Sequence, residues 1–209
     1  MRILAISDIH DDFDRFAPET LPDADLCVVA GDLTNYGIRR PLQLAAALRW
    51  IMQMGQQIPT LWIPGNHDIG VTSNTFSYQD DVTCILNETV SVNGLTFRGV
   101  SLSPCYTLPE LAEMWDYMTV DEDAERAAYA FERVDIVVSH TPPYGILDSG
   151  AWVPGRGQEN YGSQALADYI ARHAPRLVIC GHVHEGRGHA RVGATDVYNV
   201  AQSAQLIEI

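Results

Sequence analysis

Nine side chains suited to metal ligation or proton transfer fall just past short apolar runs of this sequence: Asp8, His10, Asp32, Asn66, His67, Asp68, His140, His182 and His184. They occur in the blocks "SDIH", "GDL", "GNHD", "SHTPP" and "GHVH", which hold five of the seven histidines of the chain. Taken singly, an Asp after a strand is more often a helix cap or turn former. A lone buried His is more often hydrogen-bonded than metal-bound. Recurrence at five similar places needs a common cause. Carboxylate, imidazole and amide-oxygen donors together suit Mn, Fe, Zn, Co or Ni, and the carboxylates are too few for a calcium cage. The set can hold two ions if one carboxylate bridges. Asp8 and His10 are two apart, as are His182 and His184. If the strand direction persists through them, each pair shares a face.

The elements that must position these groups are near-continuous Val/Ile/Leu runs within 2–6, 25–32, 59–68, 134–143 and 175–184. Such runs mark strands buried on both faces, and ligands in open α/β folds gather beyond the carboxyl ends of the strands. Helical spacing places Leu44, Leu48 and Ile51 on one face of 40–54, and Leu166 and Ile170 on one face of 159–173. Residues 121–131, acidic at the start and Ala-rich, form a third helix. "VSVNGLTFRG" alternates around an Asn-Gly turn, a hairpin signal. The C-terminal "DVYNVAQSAQLIEI" reads similarly, as two short strands with a turn near Gln202 and Ser203. With no repeat and no low-complexity linker, residues 1–209 read as one domain. The expected architecture is α/β: a four-layer α/β/β/α sandwich with two mixed sheets and the metal site at the C-terminal ends of the strands.

Composition narrows the function. A formal net charge of -14 argues against nucleic acid and anionic membrane as partners, because both demand clustered basic residues. No apolar stretch approaches the ~18 residues of a membrane span. The opening "MRILAISDIH" lacks a small-residue cleavage site and reads as a first strand, not a signal peptide. Cys27, Cys84, Cys105 and Cys180 show no CxxC spacing. They imply a reducing, cytoplasmic setting without a disulfide framework.

The five blocks resemble, in order and over nearly the whole chain, those of the calcineurin-like metallophosphoesterases. The resemblance implies a first ion held by Asp8, His10, Asp32 and His184. A second would be held by Asp32, Asn66, His140 and His182, with Asp32 bridging. It implies further that His67 is a non-ligand facing the scissile phosphate and that Asp68 orients the His67 imidazole. The implied cofactor is two divalent ions, Mn²⁺ favoured.

Two cations roughly 3.5–4 Å apart would lower the pKa of a bridging water, giving a hydroxide that attacks phosphorus in line, and would neutralise the phosphate. A protonated His67 could donate to the leaving oxygen. Asn66 suits ligation because it adds no negative charge. Gly65 and Gly181 would let the backbone turn tightly. The expected activity is therefore phosphoester hydrolysis, with diesters favoured. Monoesterase or nucleotide pyrophosphatase activity is the alternative within the enzyme class, and a non-catalytic binding module the alternative outside it. A small phosphoester, with nucleotides and cyclic nucleotides among the candidates, is the expected partner. Tyr144 and Asp148 of "SHTPPYGILDSG", Arg156, Arg187, Asn35 and Tyr36 are candidates for substrate contact. The aromatics Tyr106, Trp115, Tyr117 and Tyr129 offer a lid, core packing or a face for a homo-oligomer.

Overall fold

The computed structural model describes residues 1–75, 81–150 and 159–209. The chain runs through β1 (Arg2–Ser7), β2 (Leu26–Ala30), α1 (Pro41–Gln57), β3 (Thr60–Ile63) and β4 (Val82–Cys84). It continues through β5 (Thr89–Val92), β6 (Leu95–Val100), β7 (Ser103–Pro104), α2 (Leu111–Met114), β8 (Met118–Thr119) and α3 (Glu122–Ala128). Last come β9 (Ile136–Ser139), α4 (Gln164–His173), β10 (Leu177–Cys180), β11 (Gly188–Val192), β12 (Thr195–Asn199) and β13 (Ser203–Glu208).

The strands form two mixed sheets, ordered β13-β1-β2-β3-β4 and β11-β12-β10-β9-β6-β5, with β7 and β8 a separate short pair. All residues of β2, β3, β9 and β10 are buried, as expected of parallel strands covered on both sides. Their alternating side chains fill different cores. From the five-stranded sheet, Leu4, Ile6, Cys27, Val29 and Trp62 pack against Ala47, Trp50, Ile51 and Met54 of α1. Its other face, with Ile3, Ala5, Leu26, Val28 and Ile63, meets Phe97, Ile136, Val138 and Ile179 of the six-stranded sheet. The far face of that second sheet, with Val137, Val178 and Val197, packs on Leu166, Tyr169 and Ile170 of α4.

Local chemistry sets the boundaries. Proline opens α1, where its missing N–H costs nothing. Asp121 caps α3 by accepting from the amides of Asp123 and Ala124, and Ser163 caps α4 through the Leu166 amide. Asn93 (φ 51°) and Gly94 (φ 80°) turn the β5–β6 hairpin in the left-handed region that a two-residue loop needs.

The C-terminal stretch departs from its sequence reading. Two strands form there, but they are not partners. β12 lies parallel to β10 in one sheet, whereas β13 runs antiparallel to β1 in the other. The turn at 200–202 is therefore a crossover between sheets. The local partner of β12 is β11, a hairpin mate that the polar "GHARV" did not announce.

Candidate metal centre

Each of the five blocks lies at the C-terminal end of a buried strand: β1 leads to Asp8 and His10, β2 to Asp32, β3 to 66–68, β9 to His140, and β10 to His182 and His184. The strand direction does not persist through the paired residues, contrary to the sequence expectation. β1 ends at Ser7 and β10 at Cys180. Asp8 (φ 56°), His10 (φ 50°), Asp32 (φ 53°) and His182 (φ 67°) all adopt left-handed backbone, a region sparsely used by residues other than glycine. The turn is thus made by candidate ligands themselves. Gly65 and Gly181 have a different task from the one expected, because neither takes a positive φ. They provide room. A Cβ on Gly65 would strike Asp32 and the His140 ring, and one on Gly181 would strike Ser7 and the Asp8 carboxylate.

The loops converge on a compact set of donors. His184 Nε2 is 3.2 Å and His10 Nε2 3.7 Å from Asp8 Oδ1. Asp32 Oδ2 lies between two imidazoles, 3.7 Å from His10 Nε2 and 3.4 Å from His140 Nε2. Asn66 Oδ1 is 2.9 Å from both His140 Nε2 and His182 Nδ1. Atoms sharing one ion at about 2.0–2.2 Å stand roughly 3–3.5 Å from each other, so these separations suit ligation. Two overlapping groups, Asp8–His10–His184 and Asp8–Asp32–His140, each offer donor atoms within 4.8 Å of one another.

The polar accounting points the same way. His10 Nδ1 and Nε2 are buried with no hydrogen-bond partner, yet Nε2 faces two carboxylates. His140 is fully buried, and its Nδ1 donates to the Ala30 carbonyl at 2.8 Å. Its Nε2 faces the oxygens of Asn66 and Asp32 at 2.9 and 3.4 Å, so that nitrogen must carry either a proton or a cation. Asp8 and Asp32 are 1% and 2% exposed, and no arginine pairs with either among the described residues. Burial opposes the charge on Asp8, but His10 and His184 hold its carboxyl well below the usual range. Burial likewise opposes the charge on Asp32, and His140 lowers it. Burial also works against a charge on His140, yet Asp32 and Asp8 push its pKa up to about 9. His182 is driven down to about 4 by burial and by the neighbouring His140. The donor set fits divalent metal ions: against the opposition of burial, its carboxylates pull positive charge onto His10 and His140.

His67 stands at the edge of this cluster, its ring 4.8 Å from that of His10. Its amide donates to Asp32 Oδ1 at 2.7 Å, and its Nδ1 donates to the Asn35 carbonyl at 3.1 Å. Burial lowers its pKa. Asp68 does not orient this imidazole as expected. Its carboxylate accepts from the amides of Leu33, Thr34 and Gly65 and from the Thr34 hydroxyl, at 2.8–3.1 Å. Asp68 therefore ties the loop after β2 to the loop after β3, and the backbone of Asn35 does the orienting. Burial and the nearby Asp32 raise the Asp68 pKa to about 6.

The remaining candidates divide. Asn35 is anchored through its side chain to the His10 carbonyl and Asp11. Asp148 closes its own loop on the amides of Gly145 and Gly162. Tyr144 lines a cavity of about 480 Å³ with Tyr106, Glu125 and Gly162, none of which is a candidate ligand. Arg187 is exposed, and Arg156 lies outside the described residues. Of the aromatics, Tyr129 is core and Tyr117 bonds the Val71 carbonyl. Trp115 reaches the His67 ring at 4.0 Å, a contact with no local signal in the sequence.

A sheet-end centre of buried carboxylates, an amide and histidines defines a metallohydrolase-type site. The chain belongs to the calcineurin-like phosphoesterase family, whose sequence model matches residues 1–186. It is 28% identical over 229 aligned residues to a UPF0046 protein of Caenorhabditis elegans, covering 97% of this chain and 70% of that one. It is 26% identical to human metallophosphoesterase domain-containing protein 1, covering 96% of this chain but only 65% of the human one. Among solved structures, TT1561 of Thermus thermophilus matches with a TM-score of 0.60 at 19% identity, covering 96% of this chain and 88% of that one. Another matches with a TM-score of 0.66 at 17% identity, covering 99% and 98%. These likenesses concern the fold. Among the described residues no helix is long and apolar enough to cross a membrane.

Proposed function

We propose that this chain is a dinuclear metal-dependent phosphodiesterase. One ion is assigned to Asp8, His10, Asp32 and His184, the other to Asp32, Asn66, His140 and His182. The observation that carries the reading is the division of labour in Asp32. Its Oδ1 is engaged by the His67 amide, while its Oδ2 is the same atom that faces both His10 and His140. Two bound divalent ions would supply Lewis-acid activation of water and charge neutralisation at phosphorus.

The chain's own residues do the rest. Asp8 and Asp32 concentrate negative charge where cations belong. Asn66 contributes a neutral oxygen and spares the incoming phosphate further repulsion. With a hydrogen on Nδ1 committed to Asn35, His67 exchanges protons with substrate through Nε2. The phosphate's charge counteracts the lowering of its pKa by burial. Protonated in the complex, His67 donates to the departing oxygen. The net charge of -14 favours a monoanionic diester over a dianionic monoester. All four cysteines are free thiols, which suits a reducing compartment such as the cytoplasm.

The test is a metal-supplemented screen of chelated protein over aryl mono- and diesters, cyclic nucleotides and nucleotide diesters. Mn²⁺ or a similar ion should restore hydrolysis, with diesters cleaved faster. Metal-dependent turnover confined to monoesters would overturn the diester assignment. No turnover on any substrate, with two ions bound, would overturn the enzymatic one.

A further inference from the structure

We propose that Trp115 is a positioning residue for His67, held against it by the excursion of the chain between β7 and β8. The inference rests on the reading of His67 as the residue facing the scissile phosphate. β7 and β8 pair in parallel, Ser103 with Met118 and Pro104 with Thr119. The amides of Ser103 and Cys105 donate to the carbonyls of Tyr117 and Thr119 at 2.7 and 2.9 Å. Residues 105–117 thus leave and re-enter the fold at one place. On the return, three consecutive residues address the turn that carries His67. The Trp115 ring lies 4.0 Å from the His67 ring, with planes 33° apart. Asp116 accepts from the Gly70 amide at 2.7 Å, and the Tyr117 hydroxyl donates to the Val71 carbonyl at 2.6 Å.

The same ring is held from a second direction. Tyr36 stacks on Trp115 at 5.9 Å, and it directly follows Asn35, whose carbonyl takes the Nδ1 hydrogen of His67. One hydrogen bond fixes an edge of an imidazole but leaves the ring free to tilt about it. A second ring against its face removes that freedom and keeps Nε2 aimed. Core packing does not account for Trp115. It lies outside the three buried apolar clusters, and its neighbour Met114 is 52% exposed. The rings it meets are those of His67 and Tyr36.

The experiment compares Trp115→Ala and Trp115→Phe in the metal-loaded full chain, alone and combined with His67→Ala. Trp115→Ala should lower kcat about 10–100-fold, the scale of a slightly misplaced group, with KM and metal content near wild type. Trp115→Phe should restore most of the loss. In the His67→Ala background Trp115→Ala should change nothing further. A raised KM with kcat preserved, or a loss that persists without His67, would mean that Trp115 touches substrate directly and would overturn the proposal. A second readout needs no turnover. In ¹⁵N-histidine-labelled protein, His67 should show the Nδ1–H tautomer and ring protons shifted upfield by the indole. Trp115→Ala should abolish that shift and broaden the ring signals, while the Asn35 carbonyl keeps the Nδ1–H tautomer. An unchanged spectrum overturns the proposal. The expected spectral change in a protein inert toward every phosphoester supports the positioning and overturns only the phosphoesterase reading.

Discussion

The two sheets meet at the candidate centre with different chemistry. The five-stranded sheet brings every oxygen donor, Asp8, Asp32 and Asn66, together with His10. The six-stranded sheet brings imidazoles alone, His140, His182 and His184. Neither edge by itself surrounds a cation. The backbone differs too: three of the four donors on the first side take positive φ, but only His182 does so on the second. The contrast teaches that the candidate centre exists only where the two sheets meet. The apolar layer around Phe97, Ile136, Val28 and Ile63 joins the two sheets beneath it.

The sharpest way to break the pairing of the two sides is Asp32→Asn. Asparagine tolerates the left-handed backbone at φ 53° but loses the charge between His10 and His140. Activity should fall on the order of 10³-fold, and metal analysis should find fewer than two ions per chain. Full occupancy would refute a bridging Asp32. His67→Ala should be next, with kcat down ~10²–10³-fold while both ions stay bound. Lost metal would move His67 into the ligand set.

The imidazole side can be probed by pH. In the metal-free protein His140 is held up near 9 by Asp32 and Asp8 against burial. Metal must displace that proton, so affinity should weaken as pH falls below about 9, by up to roughly tenfold per unit. Calorimetry in buffers of different ionisation heat should register the released proton. A flat profile between pH 7 and 9 would contradict the assignment. The smallest expected effect is that of Gly181→Ala, whose methyl would press on Asp8 and Ser7 across the seam. Metal affinity should drop about 10-fold, measured by competition with a chelator. Gly94→Ala would strain the left-handed turn of the β5–β6 hairpin and should cost stability while leaving metal affinity at the wild-type value.

Much of this was legible in the sequence because buried parallel strands write themselves as apolar runs, and polar residues at their ends stand out. The five blocks, the Asn93–Gly94 hairpin and the three longer helices were all readable on that basis. Pairing was less so. β13 joins β1 from the opposite end of the chain, and nothing local in "SAQLIEI" names its partner. The pleat argument for Asp8 with His10 failed because a strand that ends at Ser7 has no further alternation to lend. Asp68 was misread because its partners, the amides of Leu33 and Thr34, carry no side-chain signature. Trp115 was visible as an aromatic, but its contact with His67 joins distant parts of the chain that only the β7–β8 closure brings together.

The crossover at 200–202 has its own bearing on the metals. The Val200 amide donates to the Cys180 carbonyl at 2.8 Å, and the Gln202 amide to the Ser7 carbonyl at 3.0 Å. Three residues thus suture the ends of β10 and β1, directly behind His182 and Asp8. A gap spanned by so short a piece of main chain has little freedom to dilate. The spacing of the candidate ligands across the seam is thus tethered by main chain, and lengthening this segment by one glycine would slacken it without altering a single one of them.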